Sequence, residues 1–152
     1  MTPAEFIAAI APAARTSMLS TEIPASFTVS QAALESAWGA HCPGFNLFGI
    51  KADPSWKGLF TSQVTNEVVN GKTIKITAKF RAYSDWLGSI DDHAQFLLTN
   101  PRYKSAFAYT SGATFAKAIQ ACGYATDPQY AQKIIAIIRA HNLSVLDITA
   151  SS

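Results

Sequence analysis

The segment Phe60-Thr-Ser-Gln-Val-Thr-Asn-Glu67-Val-Val69, Asn70-Gly71, Lys72-Thr-Ile-Lys-Ile-Thr-Ala-Lys-Phe-Arg81 alternates with a period of two through both arms and is rich in Thr, Val and Ile. Asn70-Gly71 between the arms is the preferred pair for a two-residue type I′ turn, whose central residues both take positive φ. The pattern predicts an antiparallel hairpin with Glu67 opposite Ile74. The rest of the chain reads as helix and loop, so the fold class is decided here: α+β and mostly α. A small β-lobe set against a helical body leaves a cleft between them, and such clefts hold ligands.

On the N-terminal side, Thr2-Pro3-Ala4-Glu5 is a capping box with Pro at the first helical position, and Phe6, Ile7 and Ile10 continue at helical spacing. Pro12 is expected to kink or interrupt this helix, and residues 20–26 read as a connection. Thr28 and Gln31 look like a second capping box, opening a helix that runs to about Trp38 with Gly39 as its C′ residue. Residues 41–58, rich in Gly, Pro and aromatics, read as an ordered loop.

On the C-terminal side, Ser84 or Asp85 can cap a helix to about Leu98, and a short helix is expected over 103–108. Residues 115–121 form another, stopped by Gly123. Asp127-Pro128 starts the last helix, whose apolar face is Ile134, Ile135, Ile137 and Ile138, ending near His141. Residues 1–147 are expected to form one domain and 148–152 a flexible tail.

The chain has 152 residues, 49% of them hydrophobic and 14% charged, which is the composition of one ordered globular domain rather than a disordered segment. A net charge of +2 without any Lys/Arg run gives no ground for nucleic-acid binding. The apolar run 6–14 lacks the basic leader of a signal peptide, and no run is long enough to span a membrane. Cys42 and Cys122 lack metal-type spacing, and His41, His93 and His141 are scattered, so no metal and no cofactor is expected. The two cysteines read as half-buried thiols, with a disulfide open as an alternative in an oxidising compartment.

Glycosidic cleavage needs a carboxylic acid that still holds its proton near neutral pH. Glu35 lies in the last turn of its predicted helix, at the negative end of the helix dipole, beside Leu34, Ala37 and Trp38. Both the dipole and the apolar neighbours disfavour a carboxylate and raise its pKa. A glutamate with no other context would be an ordinary surface residue.

Here the context is specific. The strings Gln31-Ala-Ala-Leu-Glu35-Ser-Ala-Trp-Gly39 and Asn46-Leu-Phe-Gly-Ile-Lys51 resemble the glucosaminidase family, glycoside hydrolase family 73. Further matches follow in the family's order: Phe80-Arg-Ala-Tyr-Ser84, Ser89-Ile-Asp-Asp-His93 and Gly123-Tyr-Ala-Thr-Asp-Pro-Gln-Tyr-Ala131. The resemblance covers about 6–143. It implies a lysozyme-like fold and an endo-β-N-acetylglucosaminidase that cleaves the β-1,4 bond between N-acetylglucosamine and N-acetylmuramic acid in peptidoglycan. It assigns the general acid to Glu35, matches a second family glutamate to Glu67 and a cleft tyrosine to Tyr124. Glu67 then activates water as a base, stabilises charge, or is dispensable because the substrate's own 2-acetamido group attacks.

A pyranose presents an apolar C–H face to aromatic rings, so Phe48, Trp56, Tyr83 and Tyr130 are candidate sugar-binding residues, with Gly49 offering backbone to the acetamido group. Trp38 is expected in the core. Arg81 and Lys51 are either solvated charges or partners of wall carboxylates. Asp127 reads as a helix cap rather than a base, and Asp91 and Asp92 as helix residues. The expected partner is the peptidoglycan glycan strand, met by a monomer with no nucleic acid and no membrane insertion. Without a leader or wall-binding repeats, the chain is similar to a phage endolysin that accumulates in a Gram-negative host's cytoplasm until it reaches the periplasm; otherwise it would be periplasmic or extracellular. The competing readings are a lytic transglycosylase, a muramidase, or a non-catalytic wall-binding or assembly domain on the same scaffold.

Overall fold

The computed structural model describes residues 1–149, so residues 150–152 of the expected tail lie outside the described residues. Ile148, at the start of that tail, is tied down: its carbonyl accepts a hydrogen bond from Arg15 Nη2 at 3.1 Å. The α-helices are α1 (Pro3–Thr21), α2 (Ala25–Ser36), α3 (Trp86–Thr99), α4 (Gly112–Ala121) and α5 (Tyr130–Ala140). The hairpin is β1 (Phe60–Val69) and β2 (Lys72–Arg81), and 3-10 turns span Pro43–Phe45, Pro101–Ala108 and Leu143–Asp147.

The centre of the body is α2. Every residue from Ala25 to Ala33 is buried, and α1, α4, α5 and the Leu143–Asp147 turn all pack on it. Its small side chains make that possible. Ala25, Ala32 and Ala33 let neighbours close in, and Gly112 of α4 approaches so tightly that an added Cβ would lie 2.1 Å from Ser26 Oγ. The buried hydroxyls bond back along the helix: Ser30 Oγ to the Ser26 carbonyl at 2.7 Å and Ser36 Oγ to the Ala32 carbonyl at 2.6 Å. Phe27, Val29, Phe6, Ile10, Phe115, Ile119 and Ile134 complete a dry core around it. Burying a side chain of this size contributes about 1.5–3 kcal/mol each.

The hairpin forms as its alternation predicts. Phe60 pairs with Arg81, Glu67 with Ile74 and Val69 with Lys72. Asn70 and Gly71 take φ of 52° and 75°, as a type I′ turn requires. The base of the lobe is pinned by polar contacts. Arg81 Nη1 reaches both oxygens of Asp92, at 2.9 and 3.2 Å, and the Tyr83 hydroxyl donates to the same carboxylate at 2.6 Å. Asn46 bonds the Ile50 and Arg81 carbonyls and the Ile50 N–H, which ties the loop over 41–58 to β2.

The Thr2–Glu5 capping box is present, as is the Asp85 cap of α3. Other local expectations are overturned by packing. α1 runs through Pro12 to Thr21 instead of breaking there. Ala8, whose carbonyl loses its partner, is exposed to water, and the buried stripe Phe6, Ile10, Ala14, Ser17 and Thr21 continues on both sides of the proline. The connection shrinks accordingly from 20–26 to 22–24. The Thr28–Gln31 box does not form: α2 starts four residues earlier, with Pro24 in the N-cap position, and both side chains are buried inside it. α2 is capped from far along the chain, where Asp147 accepts from Ser26 N at 2.7 Å and Ser26 Oγ at 2.6 Å. α5 begins at Tyr130; Asp127 accepts from Gln129 N in the turn before it. Neither cysteine is paired in a disulfide.

Asp147 holds an N-terminus that has no cap of its own. Asp147→Ala is expected to destabilise the fold by about 1–2 kcal/mol, read as a lower urea midpoint with an unchanged m-value.

Candidate active site

α2 is sheathed along its length and open only at its end, and Glu35 is the side chain at that end. The chain leaves the helix through consecutive left-handed residues, Ala37 (φ 50°), Trp38 (57°) and Gly39 (82°). Left-handed backbone costs a non-glycine residue about 1–2 kcal/mol, and here anchors hold it. Trp38 packs edge-on against Phe6 at 5.7 Å and His141 at 4.9 Å, and Gly39 N–H donates to Ser36 Oγ at 3.0 Å. This sharp exit keeps the following loop from covering Glu35.

Glu35 borders two depressions. One, of about 120 Å³, lies toward the hairpin and is lined by His41, Asn46, Gly49, Gln63, Thr65 and Phe80 among others. The other, of about 400 Å³, is walled by Ile50, His93, Phe96, Tyr103, Tyr124 and Ala125. Glu35 is thus open to the cleft on one side and crowded by protein on the other. The crowding raises its carboxyl above the ordinary value of 4.5; a hydrogen bond from the Tyr130 hydroxyl to Oε1, 3.1 Å long, opposes that rise. A larger depression of about 630 Å³ lies between α1 and Leu146 and does not include Glu35.

The expected partners of Glu35 divide. Tyr124 shares the depression of about 400 Å³ with it, and burial, with Glu35 and Tyr103 nearby, pushes its phenol well above the ordinary range. It is therefore a standing O–H donor. Glu67 borders neither depression. It sits one step farther along the face of β1 that carries Gln63 and Thr65, in an ion pair with Lys51 Nζ at 3.0 Å. Gly49 is exposed and lines the smaller depression with φ 63° and nothing within 4 Å of a would-be Cβ.

The candidate aromatics are placed differently from expectation. Phe48 is buried, its ring stacked on His93 at 4.0 Å, so it presents no face to a sugar. Tyr130 is also buried; its hydroxyl is spent on Glu35, so it supports the acid instead of forming a platform. Trp56 and Tyr83 lie edge-to-face at 5.9 Å, away from Glu35, with the Arg81 guanidinium 4.5 Å above the Trp56 ring. Trp56 borders a separate depression with Phe60 and Lys79. Lys51 and Arg81 are both paired, with Glu67 and Asp92. Of the phenylalanines, Phe80 lines the smaller Glu35 depression and the half-exposed Phe96 the larger of the two; Phe96 was not singled out as a site residue. It has no marker in the sequence beyond an aromatic on α3. Gln31, which donates to the Tyr130 hydroxyl, and His93, which bonds Gln31, were also missed as site residues. Gln31 stands four residues before Glu35, on the same helical face, and a Gln amid alanines on a buried helix was the available signal.

An acid partly stripped of water at the floor of a cleft between a helical body and a β-lobe is equipped to protonate a glycosidic oxygen, and the molecule is a glycoside hydrolase of lysozyme-like build. The chain belongs to the glucosaminidase family, described as mannosyl-glycoprotein endo-beta-N-acetylglucosaminidase, which it matches over residues 11–143. It is 39% identical over 142 residues to the peptidoglycan hydrolase FlgJ of Salmonella typhimurium, covering 89% of this chain and 45% of that protein. To the exo-glucosaminidase LytG of Bacillus subtilis it is 41% identical over 130 residues, covering 80% and 45%. The chain thus spans about half the length of these relatives. Among solved structures, a C-terminally truncated glycoside hydrolase domain of Salmonella typhimurium FlgJ superposes with a TM-score of 0.80 at 38% identity, covering 91% of this chain and 96% of that one. The catalytic domain of the Listeria monocytogenes autolysin Auto gives 0.85 at 31%, covering 95% and 86%. Among the described residues no cluster fit to hold a metal ion is found, and no helix is long and apolar enough to cross a membrane.

The raised carboxyl has a stability consequence. Because Glu35 binds its proton more tightly folded than unfolded, its contribution is fully present below the unfolded value and is lost as pH rises through the raised folded one. At pH near 7 the ionised form therefore works against the fold. Glu35→Gln is expected to raise the thermal midpoint near neutral pH, and the gap to wild type is expected to close at about pH 4 and below.

Proposed function

We propose that this domain hydrolyses peptidoglycan, cutting the β-1,4 bond between N-acetylglucosamine and N-acetylmuramic acid as an endo-β-N-acetylglucosaminidase. The observation that carries this is Glu35: a carboxyl raised by burial, steadied by a phenol, and open to depressions on both sides where the two sugars flanking a scissile bond can lie. FlgJ, a peptidoglycan hydrolase, and LytG, an exo-glucosaminidase, support the polymer and the sugar. The relatives named are bacterial proteins, so the proposal concerns the reaction and the wall rather than a phage setting.

In this scheme Glu35 donates its proton to the leaving oxygen. Tyr124, protonated at any working pH and close to Glu35, orients the acetamido group or the attacking water. The open backbone at Gly49 meets the acetamido group from the hairpin side. Glu67 faces the cleft side of the hairpin, and its ion pair with Lys51 must be exchanged for substrate if it serves as the base. Attack by the substrate's acetamido group needs no such exchange. The two routes differ in their demand on Glu67: Glu67→Gln abolishes hydrolysis in the first and spares much of it in the second.

Purified peptidoglycan digested by the domain should yield fragments with N-acetylglucosamine at the reducing end by mass spectrometry. A 1,6-anhydromuramic end would instead mark a lytic transglycosylase, and a muramic reducing end a muramidase. Glu35→Gln should lower the rate by roughly 10²–10⁴-fold, the usual worth of a positioned acid, in a turbidity assay on permeabilised cells. Equal wall binding by both forms with no lysis by either would make the domain a binding module.

A further inference from the structure

Behind Glu35 runs a chain of hydrogen bonds that crosses the core. His93 Nε2 lies 2.7 Å from Gln31 Oε1, Gln31 Nε2 donates to the Tyr130 hydroxyl at 2.9 Å, and that hydroxyl donates to Glu35 Oε1 at 3.1 Å. Its members come from α3, α2 and α5, and all three supports are buried. Burial of this much polarity at the centre of an apolar body is costly unless every partner is met.

The chain can run in one direction only. Gln31 has a carbonyl end and an amide end. With the carbonyl toward His93, the imidazole must carry its proton on Nε2. His93 Nδ1 is buried with no partner, and a bare lone pair is better tolerated there than a stranded N–H. A doubly protonated ring is excluded as well, since burial pushes His93 down to about 3. The Gln31 amide then fills the acceptor side of the Tyr130 oxygen, and the Tyr130 proton is directed to Glu35. Glu35 Oε1 is therefore always an acceptor, and the acidic proton is confined to Oε2.

We propose that His93, Gln31 and Tyr130 are positioning residues for Glu35: the His93 tautomer orients the Gln31 amide, the amide orients the Tyr130 hydroxyl, and the hydroxyl fixes which carboxyl oxygen carries the proton that is transferred. This rests on Glu35 acting as the acid. In the transfer the Oε2–H bond breaks, an O–H bond forms on the leaving sugar, and the new carboxylate keeps the Tyr130 donor at Oε1. The donor also opposes the rise that burial imposes on the Glu35 carboxyl. The other titratable groups lining the two depressions are His41 from the loop after α2, His93 from α3, Tyr103 from the turn after α3, and Tyr124 from the loop before α5. The hairpin contributes Gln63, Val64, Thr65 and Phe80, and no Lys or Arg lines either depression.

The test uses the intact chain. In wild type, imidazole nitrogen NMR is expected to show His93 as the neutral Nε2–H tautomer, unchanged between about pH 5 and 8, where an ordinary histidine titrates. Carboxyl-carbon NMR, with Glu35 assigned by its loss in Glu35→Gln, should give a higher midpoint for Glu35 in Tyr130→Phe than in wild type. The alkaline limb of kcat should move up by the same amount, with kcat roughly ten-fold lower from looser positioning and KM unchanged. A tyrosine serving structure alone would leave the midpoint in place. An Nδ1–H tautomer or a titrating His93 overturns the proposal in wild type, whether or not any variant folds. An unmoved or lowered Glu35 midpoint in Tyr130→Phe overturns it too. A raised midpoint in a chain that cleaves no wall glycan would uphold the relay and refute the hydrolase, and cleavage with an unmoved midpoint would do the reverse.

Discussion

Everything in this molecule is arranged around the burial of α2. A helix wrapped on all sides must be lined by small residues, and every polar group it carries must find a partner inside the protein. The first demand is met by its alanines and by Gly112 of α4; the second by hydroxyls that bond back to their own helix and by Asp147 at the N-terminus. What remains is the C-terminal end, where the helix carbonyls and Glu35 emerge together. Glu35 stands at the end of the most deeply buried helix of the fold, with its carboxyl open to the cleft.

The same constraint explains the polar residues at the centre. Gln31 is wholly buried and cannot be left unpaired, so α5 and α3 must supply Tyr130 and His93 at matching heights. A requirement of packing thereby becomes a line of contact to the acid. The orphan Nδ1 of His93 is the one unmet buried side-chain atom among the described residues. It lies in a ring stacked on Phe48 at 4.0 Å. Functional clefts commonly tolerate one such departure from full satisfaction.

The β-lobe obeys different physics. Its strands expose Val64, Val68 and Ile74, and it adds little to the core. It is attached at its base through Arg81–Asp92, Tyr83–Asp92 and the Asn46 side chain, and along its inner face by Lys51–Glu67. The Lys51–Glu67 pair is exposed and worth about 0–1 kcal/mol, whereas Arg81 and Asp92 are mostly buried and the Tyr83 hydroxyl shares the same carboxylate, so the lobe is held at its base by this cluster and by the buried Asn46. The body holds Glu35 in place, and the lobe supplies a wall that is anchored at its base and only weakly along its inner face.

Local order was legible in the sequence wherever neighbours along the chain decide it. Alternation and Asn70-Gly71 determined the hairpin and its register, the Thr2 and Asp85 caps determined two helix starts, and the strings around Glu35 determined the family and singled out Glu35 as the candidate acid. Those features depend on contacts within a few residues, where sequence and geometry coincide. Tertiary structure alone decided the continuity of α1 across Pro12, the start of α2, and the placement of Gln31, Tyr130 and Phe48. Each of these turns on what is packed against the residue from elsewhere in the chain. A buried stripe outweighs one lost helical hydrogen bond, a distant carboxylate replaces a local cap, and an aromatic ring becomes a platform or a prop according to which of its faces the core has taken.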